Sequence, residues 1–384
     1  MEIIFWTLLG FVFYTYLGYP LLLYIWSIFN TKPVAKKDEG PYPHVSVVIA
    51  VRNEEKVIEK RIRNILAQDY PKTKLELIVV SDGSLDNTNS IVKRLVGRKT
   101  PDRFCDKNDL LRLLCHSPAR GKSFSINKGV ASANGEVIVF ADARQHFSKN
   151  TVKHLVNNFR DQKVGCVSGE LIFEKTPGST IQTEIGAYWR FEKWLRKLES
   201  KTGSVIGATG AVYAIQKKLF HPIPEETLLD DVLVPIHISR QGFRTIFDGK
   251  AVAYDTVSKN FHYEKKKRVR TLAGNWQLLA LEPSLLNPFK NPLCLKFLSH
   301  KIFRLLVPYC SIILVIAAIY LKNMSSNLFL ICFSFFIIIA SLPPLFSRSK
   351  ILYRCTPIFR SLIFYNYCAL IAPLKLILNP RKLW

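Results

Sequence analysis

Asp82, Asp142 and the adjacent Asp230 and Asp231 are the carboxylates whose settings suit them for chemistry. Asp82 comes just after the apolar run Leu75 to Val80, and Asp142 follows Glu136 to Ala141, so each stands where a buried strand gives way to polar chain. A third such end is Arg52-Asn53-Glu54-Glu55, after the Val- and Ile-rich run Val45 to Val51. In open α/β sheets ligands gather outside the carboxyl ends of the strands. There Asp82 can accept hydrogen bonds from a ribose or a base N–H, or simply serve the Asp-Gly-Ser turn it begins. Asn53 and Glu54 can approach the same ligand or only start a helix. Lys122 follows Gly121 at a predicted helix N-terminus, where backbone N–H groups and a cation converge on phosphate; as a bare residue it also reads as a solvated surface lysine. Asp142 offers the hard oxygens that a divalent cation such as Mg2+ or Mn2+ requires, while two residues on stands a cation, Arg144, which can neutralise phosphate charge itself. His262 is a remote candidate ligand. Asp230-Asp231 supplies either a general base or the cap of a helix near Val232.

These residues need a scaffold, and hydrophobic spacing describes one. After Glu54 and Glu55, Val57, Ile58, Ile62, Ile65 and Leu66 share one face of a helix whose first turn carries the two carboxylates. Strand and helix alternate from there. Leu110 to Cys115 reads as a strand after a polar insertion at Arg98 to Asp109, and a helix runs from Lys122 to Ala133. The pattern predicts an α/β domain over residues 42–286, with a mostly parallel sheet covered on both faces. Ala187 to Leu198 places Tyr188, Phe191, Leu195 and Leu198 on one helical face, as core packing or as a helix lying along a membrane.

The chain has 384 residues and a formal charge of +25, which fits nucleic acid, an anionic membrane surface or a phosphorylated substrate. Hydropathy separates these. Ile3 to Thr31 carries no charged side chain and is long enough to cross a bilayer core of about 30 Å. Its start lacks the basic residues of a signal peptide, so residues 1–31 read as a retained anchor and 32–41 as a linker. Residues 287–384 hold an amphipathic segment, Leu293 to Leu305, expected to lie in the membrane interface, and then Leu305 to Leu321, Leu328 to Leu342 and Ser361 to Leu374 as two or three spans. Lys and Arg flanking the segments place the soluble domain on the cytoplasmic side, with Arg381 and Lys382 in conflict if the last segment spans. The eight cysteines lack CxxC or zinc-finger spacing. No nucleic-acid recognition module is visible.

The runs VSVVIAVRNEE, SDGS, RGKSFSINKG, FADAR, GATGAVYA, LLDDV and KRVRTLAG, in this order, resemble the membrane-bound inverting glycosyltransferases of family 2, relatives of the hyaluronan, chitin and cellulose synthases. The similarity covers roughly Pro43 to Leu281. It implies a GT-A fold, a nucleotide-sugar donor, usually a UDP-sugar, and a saccharide or lipid-linked acceptor in surface polysaccharide synthesis at the plasma membrane, alone or in an oligomeric synthase complex. It implies that Asn53, Glu54, Asp82 and Lys122 bind the donor and that Asp142 holds the metal. It further implies that Asp231 is the base with Asp230 beside it, that Thr209 and Gly210 form an acceptor wall, and that Arg270 contacts the diphosphate. Two departures stand out. The family's Asp-x-Asp is Asp142-Ala143-Arg144, and its Gln-x-x-Arg-Trp is Lys267-Arg268-Val269-Arg270-Thr271, leaving Trp276 as a substitute sugar platform. The small number of spans and the missing Trp favour single addition over a processive synthase, and Arg144 and Thr271 keep an inactive scaffold in view; a sugar nucleotidyltransferase would need neither the membrane segments nor the acidic pair.

Overall fold

The computed structural model describes residues 1–35, 41–97, 110–174, 180–256, 261–341 and 350–378. Helices α1 (Glu2–Phe13) and α2 (Tyr19–Phe29), joined through a π-helical turn, form one apolar run. Strand β1 (Val45–Val51) follows, and its Val45, Val47, Val48, Ile49 and Val51 are all buried. Each contributes about 1.5–3 kcal/mol of apolar burial, which makes β1 the axis of the sheet. Helix α3 (Ile58–Leu66) begins later than its carboxylates suggest. Asn53 takes a left-handed φ of 54°, and the amides of Asn53, Glu54 and Glu55 donate to Ser84 Oγ, Thr88 Oγ1 and Asp86 Oδ2 instead of a helix start. The loop after β1 is thereby stitched to the loop after β2 (Leu75–Asp82).

Helix α4 (Thr88–Gly97), strand β3 (Leu111–His116), helix α5 (Lys122–Ser132) and strand β4 (Val137–Ala141) complete the first half. The expected insertion at 98–109 lies outside the described residues. The second half holds β5 (His146–Phe147), α6 (Thr151–Asn157), β6 (Val164–Glu174), α7 (Thr180–Lys201), β7 (Val212–Gln216), α8 (Asp230–Arg240) and β8 (Arg244–Thr256). The sheet order is β3-β2-β1-β4-β7-β6-β8-β5. Strands β3, β2, β1 and β4 are parallel, as is β6 with β8, but β7 runs antiparallel between β4 and β6. Its reversal matters for the site: Val212 at the start of β7 pairs with Ala141 at the end of β4, so the segment entering β7 arrives at the same sheet edge as Asp142.

Helix α9 (Phe261–Leu281) leads to α10 (Cys294–Phe297), α11 (Phe303–Leu321), α12 (Met324–Ser341) and α13 (Lys350–Leu378). Among the described residues four helical runs are long and apolar enough to cross a membrane: Glu2–Phe29, Cys294–Leu321, Met324–Ser341 and Thr356–Leu378. The last is longer than the Ser361 to Leu374 core, while Arg381 and Lys382, which raise the orientation conflict, lie outside the described residues. The expected interfacial helix is corrected here. Lys296 donates to Thr202 Oγ1 and to the carbonyls of Glu199 and Ser204, and Arg304 Nη1 reaches Glu192 at 3.0 Å, so its cations face α7 rather than lipid headgroups. Periodicity shows that a face is polar but not what neutralises it. In the same way the α7 stripe is packing: Leu195 and Leu198 are buried against Tyr19 and Leu23 of α2, and Tyr188 stacks on Tyr365 of α13.

Candidate active site

Six polar segments meet at the carboxyl edge of β1, β2 and β4. Asp82 is nearly buried, 5% exposed, and turned into the protein. Its Oδ1 accepts from His116 Nε2 at 2.8 Å, from the Arg120 amide at 2.7 Å and from the Gly121 amide at 3.2 Å, while Oδ2 takes only the Gly121 amide at 3.0 Å. The carboxylate thus fixes the turn that starts α5, and the Gly121 φ of 97° lets that turn form. Asn53 Oδ1 in turn accepts from the Leu85 amide at 2.8 Å, closing the loop over this crevice.

Starting α5, Lys122 projects between two carboxylates, 3.1 Å from Asp142 Oδ1 and 3.5 Å from Asp230 Oδ1. Asp142 is open, its side chain 37% exposed, whereas that of Asp230 is 4% exposed and its Oδ2 has no hydrogen-bond partner. Burial lowers the pKa of Lys122, but Asp142, Asp230 and Asp231 outweigh it and hold the ammonium above the ordinary lysine value. Asp231 is half-buried at the start of α8. Burial and the neighbouring Asp230 charge push it up to about 6, against the opposing charges of Lys122 and Arg196. Its backbone and side chain are clasped by the entry to β7: Ala208 N donates to Asp231 O at 2.7 Å and Gly210 N to Asp231 Oδ2 at 3.1 Å. A carboxylate poised near 6 is ionised at neutral pH yet basic enough to take a proton.

Of the other expected residues, Arg144 pairs with Glu54 Oε1 at 3.3 Å and donates to the Tyr263 hydroxyl at 2.7 Å. Arg270 reaches the Leu228 carbonyl at 3.5 Å, its Nε is buried without a partner, and its charge is felt at Lys122. One expectation changes. Thr209 is buried with its hydroxyl tied to Gly169 O and Arg196, so the wall presents the Gly210 backbone rather than that hydroxyl. Trp276 is half-buried and packs against the apolar cluster that includes Leu228 and Leu229. Among the described residues no three His, Cys, Asp or Glu side chains gather as a metal cluster, His262 included. A divalent cation needs no such cage when phosphate oxygens complete its shell, and the open Asp142 carboxylate fits that use.

Sequence reasoning missed Tyr263, Arg196, His116 and Tyr213, whose hydroxyl is buried without a partner while its ring stacks on Phe140. Only His116 carried a signal, at the end of a strand that pairs with Asp82.

A half-parallel sheet with donors and acidic groups at one edge is the GT-A arrangement for nucleotide sugars. Residues 46–222 match the family described as glycosyl transferase family 2, so the chain carries a domain of that family. It is 22% identical over 254 residues to a poly-beta-1,6-N-acetyl-D-glucosamine synthase of Staphylococcus aureus, covering 65% of this chain and 58% of that protein. It is 25% identical over 217 residues to a beta-monoglucosyldiacylglycerol synthase of Trichormus variabilis, covering 55% and 45%. The chain therefore spans less than two thirds of the length of these curated relatives. Among solved structures it resembles the mannosyltransferase PcManGT of Pyrobaculum calidifontis in complex with GDP-Man and Mn2+, with a TM-score of 0.69, 25% identity, and coverage of 97% of this chain and 98% of that one.

Proposed function

We propose that this chain is a membrane-embedded inverting hexosyltransferase that uses a UDP-sugar on the cytoplasmic side of the plasma membrane and adds the sugar to a lipid-linked acceptor. The observation that carries this is Asp231, raised to about 6 and aimed by the Gly210 amide at the edge where Lys122 and Asp142 converge. In one step Asp231 takes the proton of the acceptor hydroxyl, whose oxygen bonds to the anomeric carbon from the face opposite the diphosphate. The bond from that carbon to the diphosphate oxygen breaks, and the electron pair leaves with UDP. Lys122 and Arg270 supply positive charge for the departing diphosphate, and Arg144 supplies more in place of a second carboxylate. A divalent cation held by Asp142 would add neutralisation of the same oxygens.

The choice of UDP follows the resemblance to the polysaccharide synthases; Asp82, nearly buried, serves the site by fixing the Arg120-Gly121 turn. The lipid acceptor is supported by an apolar cavity of 450 Å³ between the membrane helices, bordered by Leu9, Tyr16, Phe336, Asn366 and Tyr367. Tyr367 bonds Lys265 of α9, the helix that carries Arg270. Such a volume lies within the range of ligand pockets. The test uses full-length protein in nanodiscs with UDP- and GDP-hexoses, lipid extract or oligosaccharide as acceptor, and detection of released nucleotide with and without EDTA. Transfer from one UDP-sugar to lipid, abolished by Asp231→Asn, is expected. Elongation of oligosaccharide would replace the lipid acceptor with a polymerase reading, and donor binding without transfer to either acceptor would leave only the scaffold.

A further inference from the structure

Arg196 lies on α7, away from every strand end, yet it is one hydrogen bond from the segment that clasps Asp231. Its Nη1 donates to Thr209 Oγ1 at 2.8 Å. Thr209 is itself fastened to the sheet, its amide donating to Ser168 Oγ at 2.9 Å and its hydroxyl to Gly169 O at 3.0 Å. The residues on either side of it, Ala208 and Gly210, are the two that bind Asp231. There is little slack in this arch: a Cβ added at Gly210 would stand 2.9 Å from Asp231 Oδ2.

Behind Arg196 the network continues into the membrane helices. Arg196 Nε lies 3.8 Å from Glu192, one helical turn earlier on α7. Glu192 also meets His300 Nε2 at 3.0 Å and Arg304 Nη1 at 3.0 Å. The other ring nitrogen of His300 meets Glu199 at 2.7 Å, and Glu199 accepts from the Tyr19 hydroxyl of α2 at 2.9 Å. Arg196 is 14% exposed, so its place is set by packing as well as by charge. A guanidinium suits it because separate nitrogens serve Glu192 and Thr209 at once, which a single ammonium does less well.

We infer that Arg196 is a positioning residue for the Asp231 carboxylate: it holds the Ala208–Gly210 arch and ties it, through Glu192, to His300 and Arg304 at the start of the first membrane helix after the catalytic domain. The inference rests on Asp231 being the base. Its consequence is that base geometry depends on how α7 is docked against the membrane helices, so the site is complete only when the two parts of the chain are assembled.

The test compares wild type, Arg196→Gln and Arg196→Lys, each full length in nanodiscs, by hydrogen exchange and by steady-state kinetics. Arg196→Gln is expected to speed exchange of the Ala208 and Gly210 amides and to lower kcat roughly 10- to 100-fold, with the donor KM changed by less than about 3-fold. Arg196→Lys should recover part of both losses. Unchanged exchange in Arg196→Gln, or a raised donor KM with kcat kept, would overturn the inference. A wild type that transfers no sugar would remove the base assignment instead, while the exchange comparison still decides whether Arg196 holds the arch. Should Arg196→Gln not fold, Arg196→Lys decides alone, because an ammonium keeps the charge but does not serve Glu192 and Thr209 at once: faster exchange of the Ala208 and Gly210 amides with a lower kcat is expected, and exchange and kinetics equal to wild type would overturn the inference.

Discussion

Two nitrogen-bearing side chains in this molecule, an ammonium and an imidazole, each sit between two carboxylates, and the outcomes are opposite. Lys122 lies between Asp142 and Asp230 at the open sheet edge, and His300 lies between Glu192 and Glu199 where α7 meets the membrane helices. Around Lys122 the acids outnumber their partners: Asp230 Oδ2 has none, and Asp231 is pushed up to about 6. Around His300 the balance is reversed. Burial works against ionised Glu192, yet His300, Lys301 and Arg304 hold it well below the usual carboxylate range. A cluster left short of charge is ready to take a cation or a proton, and one fully supplied is ready only to stay folded.

The comparison breaks most sharply at Asp231. Replacement by Asn should lower sugar transfer by roughly 10²- to 10⁴-fold while donor binding, followed by calorimetry, stays within a few-fold of wild type. Parallel loss of donor binding would mean that Asp231 belongs to the donor pocket. Next in size is the structural cluster. His300→Leu leaves two buried carboxylates short of a partner and should destabilise the folded chain by about 3–5 kcal/mol, read as a lowered unfolding midpoint in denaturant. A midpoint within error of wild type would show that Glu192 and Glu199 find other cations. The two clusters also differ in the sign of their pH dependence. The depressed Glu192 contributes stability above its unfolded pKa that is lost as pH falls through its folded value. Asp231, raised when folded, favours the folded state at low pH, and that contribution is lost as pH rises through about 6.

A smaller effect sharpens the metal question. Arg144→Asp creates the Asp-x-Asp that the family usually carries, and should deepen the loss of activity on EDTA treatment by several-fold relative to wild type. Equal EDTA sensitivity in both would place the cation away from this triplet.

How far the sequence disclosed each cluster follows from where its members come from. Asn53, Asp82 and Asp142 each fall at or just past the end of an apolar strand, and Lys122 opens a helix, so short local patterns sufficed to bring them to one edge. Asp230 and Asp231 joined them through resemblance, since an acidic pair at a helix start is ordinary capping chemistry. The reversed β7 strand was not legible because five mostly apolar residues carry no mark of direction. Nor were Arg196, Glu192 and His300. In sequence the first two belong to a basic amphipathic face and the third to an expected interfacial helix, and only the packing of α7 against α10 and α11 turns those faces toward each other.

The pH dependence of kcat, measured for wild type and Asp230→Asn in nanodiscs at saturating donor and acceptor, tests the charge shortage most directly. With Asp231 as the base, the wild-type rate should fall on the acid side of a midpoint near 6, and removing the neighbouring negative charge should move that midpoint to lower pH. An acid limb that stays in place when Asp230 is neutralised, or that lies in the ordinary carboxylate range in wild type, would contradict the account.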